Sequence, residues 1–137
     1  MLSNWMRFLY CLFLDRDNVR SGLKTILTAI EQVKNGISIF IFPEGTRNKG
    51  EELSVLPFHD GSFKIAEKTG CPVIPVSINN SVQIFEAHFP IIRKTHVVLE
   101  YGEPIYPNTL DKEAKKQLGT YCHDLIEETI KKNVALV

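Results

Sequence analysis

The chain has 137 residues, the size of one domain and long enough to bury a core. Lys plus Arg and Asp plus Glu each number 16, so the formal net charge is zero, which argues against a nucleic-acid-binding protein. The hydrophobic content of 44% is that of an ordinary globular protein rather than a disordered one. Cys11, Cys71 and Cys122 are far apart and form no C-x-x-C pair, so the pattern indicates neither a metal site nor a disulfide framework. We expect buried, reduced cysteines and a cytosolic setting.

The first fourteen residues are apolar and aromatic, but no apolar run in the chain is as long as a transmembrane helix. This start lacks a basic n-region and a small-residue cleavage site, so it does not predict a signal peptide. We expect a helix end that continues into a strand.

Two apolar runs flank an amphipathic helix in the first fifty residues. The first, Leu9–Leu14, leads into a polar loop that contains Arg16, and the second is Ile37–Phe42. Between them, apolar residues at helical spacing predict a helix with one inward face: Val19, Leu23, Ile26, Leu27, Ile30 and Val33. Asn35-Gly36 is typical of a helix C-terminus. A right-handed crossover would make the two strands parallel.

A polar turn, Pro43-Glu44-Gly45-Thr46-Arg47, follows the second apolar run. Ligands of open α/β sheets bind beyond the carboxyl ends of the strands. Arg47 can hold a phosphate with two hydrogen bonds, and Gly45 lets the backbone approach a ligand. Glu44 could accept a hydrogen bond from a hydroxyl or brace Arg47, but a surface turn with a weak Glu–Arg ion pair fits equally well. Arg16, at the same end of the neighbouring predicted strand, favours an anion site.

The remaining predicted elements alternate between helix and strand. They are a mobile loop over 48–57, a short helix over 58–70, a strand over 73–78, a strand over 95–101 and a long helix from about 109 to 132. Pro75 within the third strand indicates a sheet edge or a bulge. The irregular stretch Val82–Lys94 has six large apolar residues and ends in Arg93-Lys94. It is typical of a loop that covers a core, and an acyl-chain wall or a contact with an anionic membrane remains open.

The four histidines do not form a recognisable catalytic pattern. His59-Asp60 and His123-Asp124 are adjacent pairs, and neighbouring side chains rarely orient each other. No nucleophile elbow, Walker loop, dinucleotide fingerprint or H-E-x-x-H motif occurs. The residues alone therefore predict an anion-binding edge without a general base, and without a catalytic residue that we can name.

The block Phe42–Arg47 resembles the signature block of the glycerolipid acyltransferases, of the 1-acyl-sn-glycerol-3-phosphate (lysophosphatidic acid) acyltransferase type. Leu12–Arg16 resembles the family's preceding block, and Val73–Val76 resembles its fourth block. Phe58 with Gly61–Ala66 matches the segment between them. The order and spacing agree across nearly the whole chain.

This resemblance implies acyl transfer from acyl-CoA or acyl carrier protein, as co-substrate and without a cofactor, to the sn-2 hydroxyl of lysophosphatidate. Arg16 and Arg47 would hold the acceptor phosphate, while Glu44 and Gly45 would line the acceptor site. Thr46 would support the loop, and Pro75 would shape the acyl or acceptor pocket. The implied fold is α/β, with a mixed, mainly parallel sheet flanked by helices. The implied location is peripheral, on the cytoplasmic side of a membrane, without a transmembrane segment in this chain.

The sequence departs from the family pattern in one respect, because the catalytic H-x-x-x-x-D block that precedes the Arg16 block is absent. We therefore expect residues 1–137 to be a single acyltransferase domain that is incomplete at its N-terminus and inactive alone. A core left uncovered near Trp5, Phe8 and Tyr10 would then favour association. Two alternatives remain: a non-catalytic lipid-phosphate-binding remnant or subunit, and an α/β domain without an anion site.

Overall fold

The structure is a computed structural model that describes residues 2–13, 19–50 and 53–137. Its regular elements in chain order are α1 (Leu2–Phe8), α2 (Val19–Lys34), α3 (Lys64–Thr69), β1 (Val76–Asn79), β2 (Val98–Tyr101), α4 (Lys112–Lys116) and α5 (Leu118–Lys132). Short 3₁₀ turns lie at Asp60–Phe63, Ser81–Ile84, Glu86–His88, Pro107–Thr109 and Asn133–Leu136. No helix in the described ranges is both long and apolar enough to span a membrane.

The predicted helix between the first two apolar runs is confirmed as α2. It ends in two backbone hydrogen bonds, from the Gly36 amide to the Val33 carbonyl (3.0 Å) and from the Ile37 amide to the Gln32 carbonyl (3.0 Å). These bonds form a Schellman motif, which requires a left-handed residue, and Gly36 supplies it with φ of +83°. The sequence therefore ends this helix locally, before any tertiary contact is needed.

The predicted mainly parallel sheet is not what the described residues form. Their one sheet is an antiparallel pair of β1 and β2, in which Val76 lies opposite Tyr101 and Asn79 lies opposite Val98. Neither Ile37–Phe42 nor the described part of the first apolar run is a strand, and Leu14 lies outside the described residues. An apolar, β-branched sequence favours a strand, but a strand forms only where a neighbouring segment exchanges backbone hydrogen bonds with it. No such neighbour lies beside Ile37–Phe42 in the described part of the chain.

The segment after α1 lies along α2 instead of pairing in a sheet. The Gln32 side-chain amide donates to the Tyr10 carbonyl (3.4 Å), and the Thr25 hydroxyl donates to the Phe13 carbonyl (3.3 Å). Two carbonyls of the segment, three residues apart, thus accept hydrogen bonds from side chains of the helix. The helix lies between the two apolar segments, as predicted, but the described parts of those segments do not pair as parallel strands.

The core lies between the 3₁₀ turn at Asp60–Phe63, α3 and α5. Phe63, Leu118 and Cys122 are buried together, and partly buried apolar residues pack around them: Phe58, Val73, Ile105 and Leu110. Burial raises the pKa of the Cys122 thiol to about 11, so this cysteine is an apolar core residue, as expected. Cys11 and Cys71 are only half-buried.

The long predicted C-terminal helix is divided in two at Gln117. Asp111 begins α4 by accepting a hydrogen bond from the Ala114 amide (2.8 Å), as an N-cap residue does. The division turns α5 so that Leu118 and Cys122 face the core at 1% and 2% exposure.

The N-terminal half leaves much apolar surface uncovered. Leu23 and Leu27 were predicted to face inward from α2, but they are 61% and 54% exposed. Trp5, Phe8 and Tyr10 are exposed as well, as the sequence led us to expect. Helical spacing shows which face is apolar but cannot show whether another element covers it.

Candidate functional site

The turn after Phe42 is held by backbone contacts on both sides. The Gly45 amide donates to the Phe42 carbonyl (3.1 Å), and Gly45 has φ of +67°, a conformation that glycine adopts without strain. The Pro43 carbonyl accepts a hydrogen bond from the His59 amide (2.9 Å). The turn therefore has a defined shape and is tied to the start of the Asp60–Phe63 helical turn.

The Glu44 carboxylate binds a backbone amide of the protein and not the Arg47 side chain. Its Oε2 accepts a hydrogen bond from the Leu56 amide at 2.8 Å, and the residue is half-buried. Of the two roles that the sequence suggested, bracing Arg47 is therefore not seen. One carboxylate oxygen fixes the 53–57 segment against the turn, and the other makes no hydrogen bond or ion pair within the described residues.

Arg47 and Thr46 both point outward into solvent-accessible positions. Within residues 2–13, 19–50 and 53–137, the guanidinium of Arg47 makes no ion pair or side-chain hydrogen bond, and the Thr46 hydroxyl makes no hydrogen bond. A guanidinium without an internal partner keeps its full set of five donors for a phosphate. The turn thus presents an anion-binding group on a fixed backbone.

Arg16, the predicted second phosphate ligand, lies outside the described residues, and its convergence with Arg47 stays a prediction. Pro75 lies elsewhere in the fold, just before β1, where its carbonyl accepts from the Gly102 amide (2.8 Å). Because proline has no amide hydrogen, its place before the strand costs the ladder no donor. No hydrogen bond within the described residues joins Pro75 to the Pro43–Arg47 turn.

Pro75 instead lines a cavity of about 700 Å³ between the β1–β2 pair, the 102–110 connector and α5. Its apolar lining includes Ile105, Leu118, Leu125 and Ile126, and no residue of the Pro43–Arg47 turn takes part. Ser77 is also a lining residue, but its hydroxyl oxygen is buried and makes no hydrogen bond within the described residues. The cavity can therefore take an apolar group.

Glu100 and Glu103 are the charged residues that line this cavity, and Glu100 is tied to its surroundings. The Glu100 carboxylate accepts hydrogen bonds from the Asn133 side-chain amide (2.6 Å) and the Lys132 ammonium (3.3 Å). These two donors, Asn133 first, lower the pKa of the Glu100 carboxyl. The carboxylate is therefore occupied in tying β2 to the end of α5.

His59 is a neighbour of the turn that the sequence did not reveal. A Cβ placed on Gly45 would lie 2.9 Å from the His59 Cδ2 atom and 3.1 Å from its Nε2 atom. The imidazole edge therefore lies directly against the backbone of the turn. Sequence reasoning missed this because the two residues are fourteen positions apart. The family-like segment that begins at Phe58 was the available signal, but it gave His59 no role.

The predicted loop over 48–57 is anchored where the structure describes it. Asn48 accepts from the Gly50 amide (2.8 Å) and donates to the Ser54 carbonyl (2.7 Å). The Val55 carbonyl lies 3.1 Å from Nε2 of His123 on α5. Together with the Leu56–Glu44 bond, these contacts fix both ends of the loop.

His123 also corrects the expectation that adjacent His-Asp pairs do not orient each other. Its Nδ1 lies 3.1 Å from Oδ1 of Asp124, and its other ring nitrogen faces the Val55 carbonyl. Both ring nitrogens thus face oxygen acceptors, and only the imidazolium can donate to both. The hydrogen bond with Asp124, and after it the one with Val55, raises the pKa of His123, although partial burial opposes the shift.

Comparison with known proteins places these residues in context. A family model described as Acyltransferase matches residues 1–79. The chain is 42% identical over 123 residues to the 1-acyl-sn-glycerol-3-phosphate acyltransferase of Borreliella burgdorferi, covering 88% of this chain and 48% of that protein. It is 35% identical over 123 residues to the Haemophilus influenzae enzyme of the same name, covering 87% and 48%.

A solved structure is similar over almost the whole chain. It is the 1-acyl-sn-glycerophosphate (LPA) acyltransferase PlsC from Thermotoga maritima, with a TM-score of 0.77 and 31% sequence identity. The match covers 95% of this chain and 50% of that one. The chain spans about half the length of the curated relatives that it matches.

Proposed function

Because the chain belongs to the acyltransferase family, we propose that it serves acyl transfer to the sn-2 hydroxyl of 1-acyl-glycerol-3-phosphate, which yields phosphatidate. The observation that carries this proposal is the Phe42–Arg47 turn. It lies within the residues that the family model matches, and it presents on a fixed backbone an exposed guanidinium that has no partner among the described residues. That is the arrangement a phosphate-bearing acceptor requires.

In the proposed reaction, the sn-2 oxygen bonds to the carbonyl carbon of the acyl thioester and the carbon–sulfur bond breaks. The hydroxyl proton passes to a base and leaves with the departing thiol. The donor is acyl-CoA or acyl carrier protein, and no separate cofactor is needed for this balance. The relatives bear the name 1-acyl-sn-glycerol-3-phosphate acyltransferase, which supports this acceptor.

The proposed roles follow the geometry of the turn. Arg47 binds the acceptor phosphate, and Arg16 is its partner in that task. Gly45 has no side chain, so the acceptor can approach the backbone closely. Glu44 fixes the turn to the 53–57 segment through its hydrogen bond with the Leu56 amide. The role of Thr46 in supporting the loop rests on the family resemblance, because its exposed hydroxyl makes no hydrogen bond within the described residues.

Pro75 serves a separate part of the substrate in this proposal. The cavity beside it is lined mainly by apolar side chains, which suits an acyl chain rather than a phosphate. No residue of the Pro43–Arg47 turn lines this cavity, which supports a division between a phosphate end and an apolar end.

The general base is not supplied by a family motif in this chain, because no H-x-x-x-x-D sequence occurs. We propose that the 137 residues alone turn over lysophosphatidate and acyl-CoA at a negligible rate, since a hydroxyl needs a base within hydrogen-bond reach to attack efficiently. Enzyme-like turnover by the purified chain would contradict this. The same observation favours one alternative, a non-catalytic lipid-phosphate-binding remnant or subunit.

The acceptor is an amphiphile that partitions into membranes, so we place the protein at a membrane surface, peripherally and on the cytoplasmic side. The described residues contain no helix able to span a membrane.

The test of the acceptor site is Arg47→Ala, measured as binding of a short-chain lysophosphatidate by calorimetry. A charge-assisted bidentate contact is worth about 1.5–3 kcal/mol, so affinity should fall by roughly 10- to 100-fold. Arg47→Lys should recover only part of the loss, because an ammonium cannot bind bidentately.

The matched control is Lys49→Ala, which removes the same charge two residues away from an exposed position. It should leave affinity nearly unchanged. Equal losses in both variants would show a diffuse charge effect and no site at Arg47. A monoacylglycerol, which lacks the phosphate, should bind wild type and Arg47→Ala equally.

A further inference from the structure

One surface loop displays a concentrated apolar tip that the proposed function does not use. Phe89, Ile91 and Ile92 are 75%, 60% and 75% exposed, and we call these three residues the apolar tip. Single exposed apolar residues are ordinary, but three large ones within four positions form a patch that marks an interaction site.

The base of this loop is closed by hydrogen bonds. The Arg93 amide donates to the Ile84 carbonyl (2.9 Å), and the Thr95 hydroxyl donates to the Gln83 carbonyl (3.1 Å). One step lower, the Asn80 side-chain amide donates to the His96 carbonyl (2.9 Å). The loop therefore leaves and re-enters the body of the protein at a fixed place, next to the β1–β2 pair.

The interior of the loop is also ordered by contacts. The His88 amide donates to the Phe85 carbonyl (3.0 Å), and the Ile91 amide donates to the His88 carbonyl (2.8 Å). The rings of Phe85 and Phe89 meet edge to face, with centroids 5.3 Å apart. The apolar tip is thus held outward by the fold and is not exposed through fraying.

Two cations follow the tip directly. Arg93 and Lys94 are exposed, and neither forms an ion pair within the residues that the structure describes. The stretch 81–94 contains a single acidic residue, Glu86. Apolar side chains beside unpaired cations complement an anionic bilayer, which offers hydrocarbon below and phosphates at the surface.

The alternative suggested by the sequence was an acyl-chain wall. The apolar tip does not line the cavity of about 700 Å³ beside Pro75. Its side chains face solvent, so they would have to reorganise to enclose a single chain. The exposed geometry favours a surface that enters lipid over a wall that surrounds it.

We propose that the loop 84–94 docks this protein on anionic membranes. The apolar tip enters the boundary between headgroups and acyl chains, while Arg93 and Lys94 contact lipid phosphates. This deepens the proposed function by naming the surface through which a peripheral enzyme would meet its lipid acceptor.

The first test is flotation of the chain with vesicles of phosphatidylcholine and phosphatidylglycerol, without acyl donor or lysophosphatidate. The triple variant Phe89→Ser, Ile91→Ser, Ile92→Ser should lower the partition coefficient at least about 100-fold, because three apolar burials are lost. The control Leu136→Ser, Val137→Ser removes exposed apolar residues at the C-terminus and should float like wild type. Circular dichroism checks that each variant is folded.

The second test separates charge from apolar insertion. Arg93→Gln with Lys94→Gln should reduce partitioning onto anionic vesicles by roughly 30-fold, at about 1 kcal/mol for each cation, and should hardly change binding to neutral vesicles. Lys68→Gln with Lys112→Gln removes the same charge from exposed positions on α3 and α4 and should have a much smaller effect.

A third test locates the tip in the bilayer. Trp5 is the only tryptophan, so Phe89→Trp in a Trp5→Phe background gives a single reporter in the tip. Its emission should shift to the blue on vesicle addition and be quenched by brominated acyl chains. Leu136→Trp in the same background should show neither change.

The proposal fails if the triple serine variant floats like wild type, or if both tryptophan reporters are quenched equally. It also fails if the triple variant abolishes self-association in light scattering while vesicle binding persists, since the tip would then be an interface between copies. The triple serine variant should bind soluble short-chain lysophosphatidate like wild type, whereas Arg47→Ala should not, so failure of the acceptor site and failure of the docking loop are distinguishable.

Discussion

Ile37–Phe42 and Val73–Asn79 are both short apolar runs that follow a helix ended by a left-handed glycine, but only the second contains a strand. In Val73–Asn79, Val73 exchanges two backbone hydrogen bonds with Ile105, and Val76–Asn79 pairs with β2. In Ile37–Phe42, Phe40 and Phe42 are 57% and 69% exposed, and no described segment pairs with the backbone. The difference shows that an apolar run specifies a candidate strand, while its partner decides whether a strand forms.

The same contrast extends to side chains. Val73 packs against the core built on Phe63, Leu118 and Cys122, whereas Phe40 and Phe42 of Ile37–Phe42 are exposed. The Pro43–Arg47 turn stands at the end of the uncovered run. Its shape therefore depends on the local bonds to His59 and Leu56 rather than on a sheet.

The largest expected effect compares one phenylalanine from each region. Phe63→Ala should lower the free energy of unfolding by about 3–5 kcal/mol, because it leaves a cavity in the core. Phe42→Ala should cost less than about 1 kcal/mol, because the side chain is already exposed. Urea denaturation measures both. A loss of stability for Phe42→Ala as large as that for Phe63→Ala would mean that Ile37–Phe42 is covered in solution. It would contradict the contrast between the two regions.

A smaller effect is expected at Gly45. Gly45→Ala should lower the free energy of unfolding by roughly 1–3 kcal/mol, because alanine is strained at φ of +67° and its methyl group meets the His59 ring. The matched control is Gly36→Ala, where φ is +83° but no atom lies within 4 Å of the new Cβ. It should show the backbone strain alone.

Gly45→Ala should lower stability more than Gly36→Ala does. Adding His59→Ala to Gly45→Ala should restore the stability that the contact with the imidazole ring costs. If Gly45→Ala and Gly36→Ala are equally costly, the imidazole does not press on the turn in solution. The thermal midpoint, measured at one pH for all four proteins, gives the comparison.

The smallest effect concerns His123 on α5, whose ring contacts the Val55 carbonyl of the loop that follows the Pro43–Arg47 turn. Its folded pKa is raised, so its contribution to stability is present below its unfolded pKa of about 6.5 and is lost as the pH rises through the folded pKa. The thermal midpoint should therefore include a small decrease between about pH 6 and pH 8. His123→Gln should remove that decrease, while His96→Gln should keep it. An unchanged profile in His123→Gln would show that the Val55 and Asp124 contacts do not favour the imidazolium.

Local sequence predicted those parts of the fold that depend on neighbouring residues. The bounds of α2, its end at Gly36 and the end of α3 at Gly70 follow from helical spacing and from glycine's access to positive φ. Phe63, Ile65 and Ala66 at the short helix predicted over 58–70 are buried.

The candidate site was predicted less completely. The turn from Pro43 to Arg47 and the exposure of a cation there follow from proline, glycine and arginine themselves. The Leu56 amide as the partner of Glu44, and the His59 ring beside Gly45, did not follow, because they join residues twelve and fourteen positions apart. Sequence spacing carries no information about which distant backbone group a carboxylate will meet.

The sequence by itself determined the family blocks, the helix ends and the places where apolar runs give way to polar turns. These features rest on covalent geometry and on contacts within about one helical turn. Tertiary structure alone decided which apolar run became a strand, that its pairing is antiparallel, and that the tip at Phe89–Ile92 faces outward. Each of these depends on a backbone or side-chain partner supplied from elsewhere in the chain, and that partner has no signature in the segment's own residues.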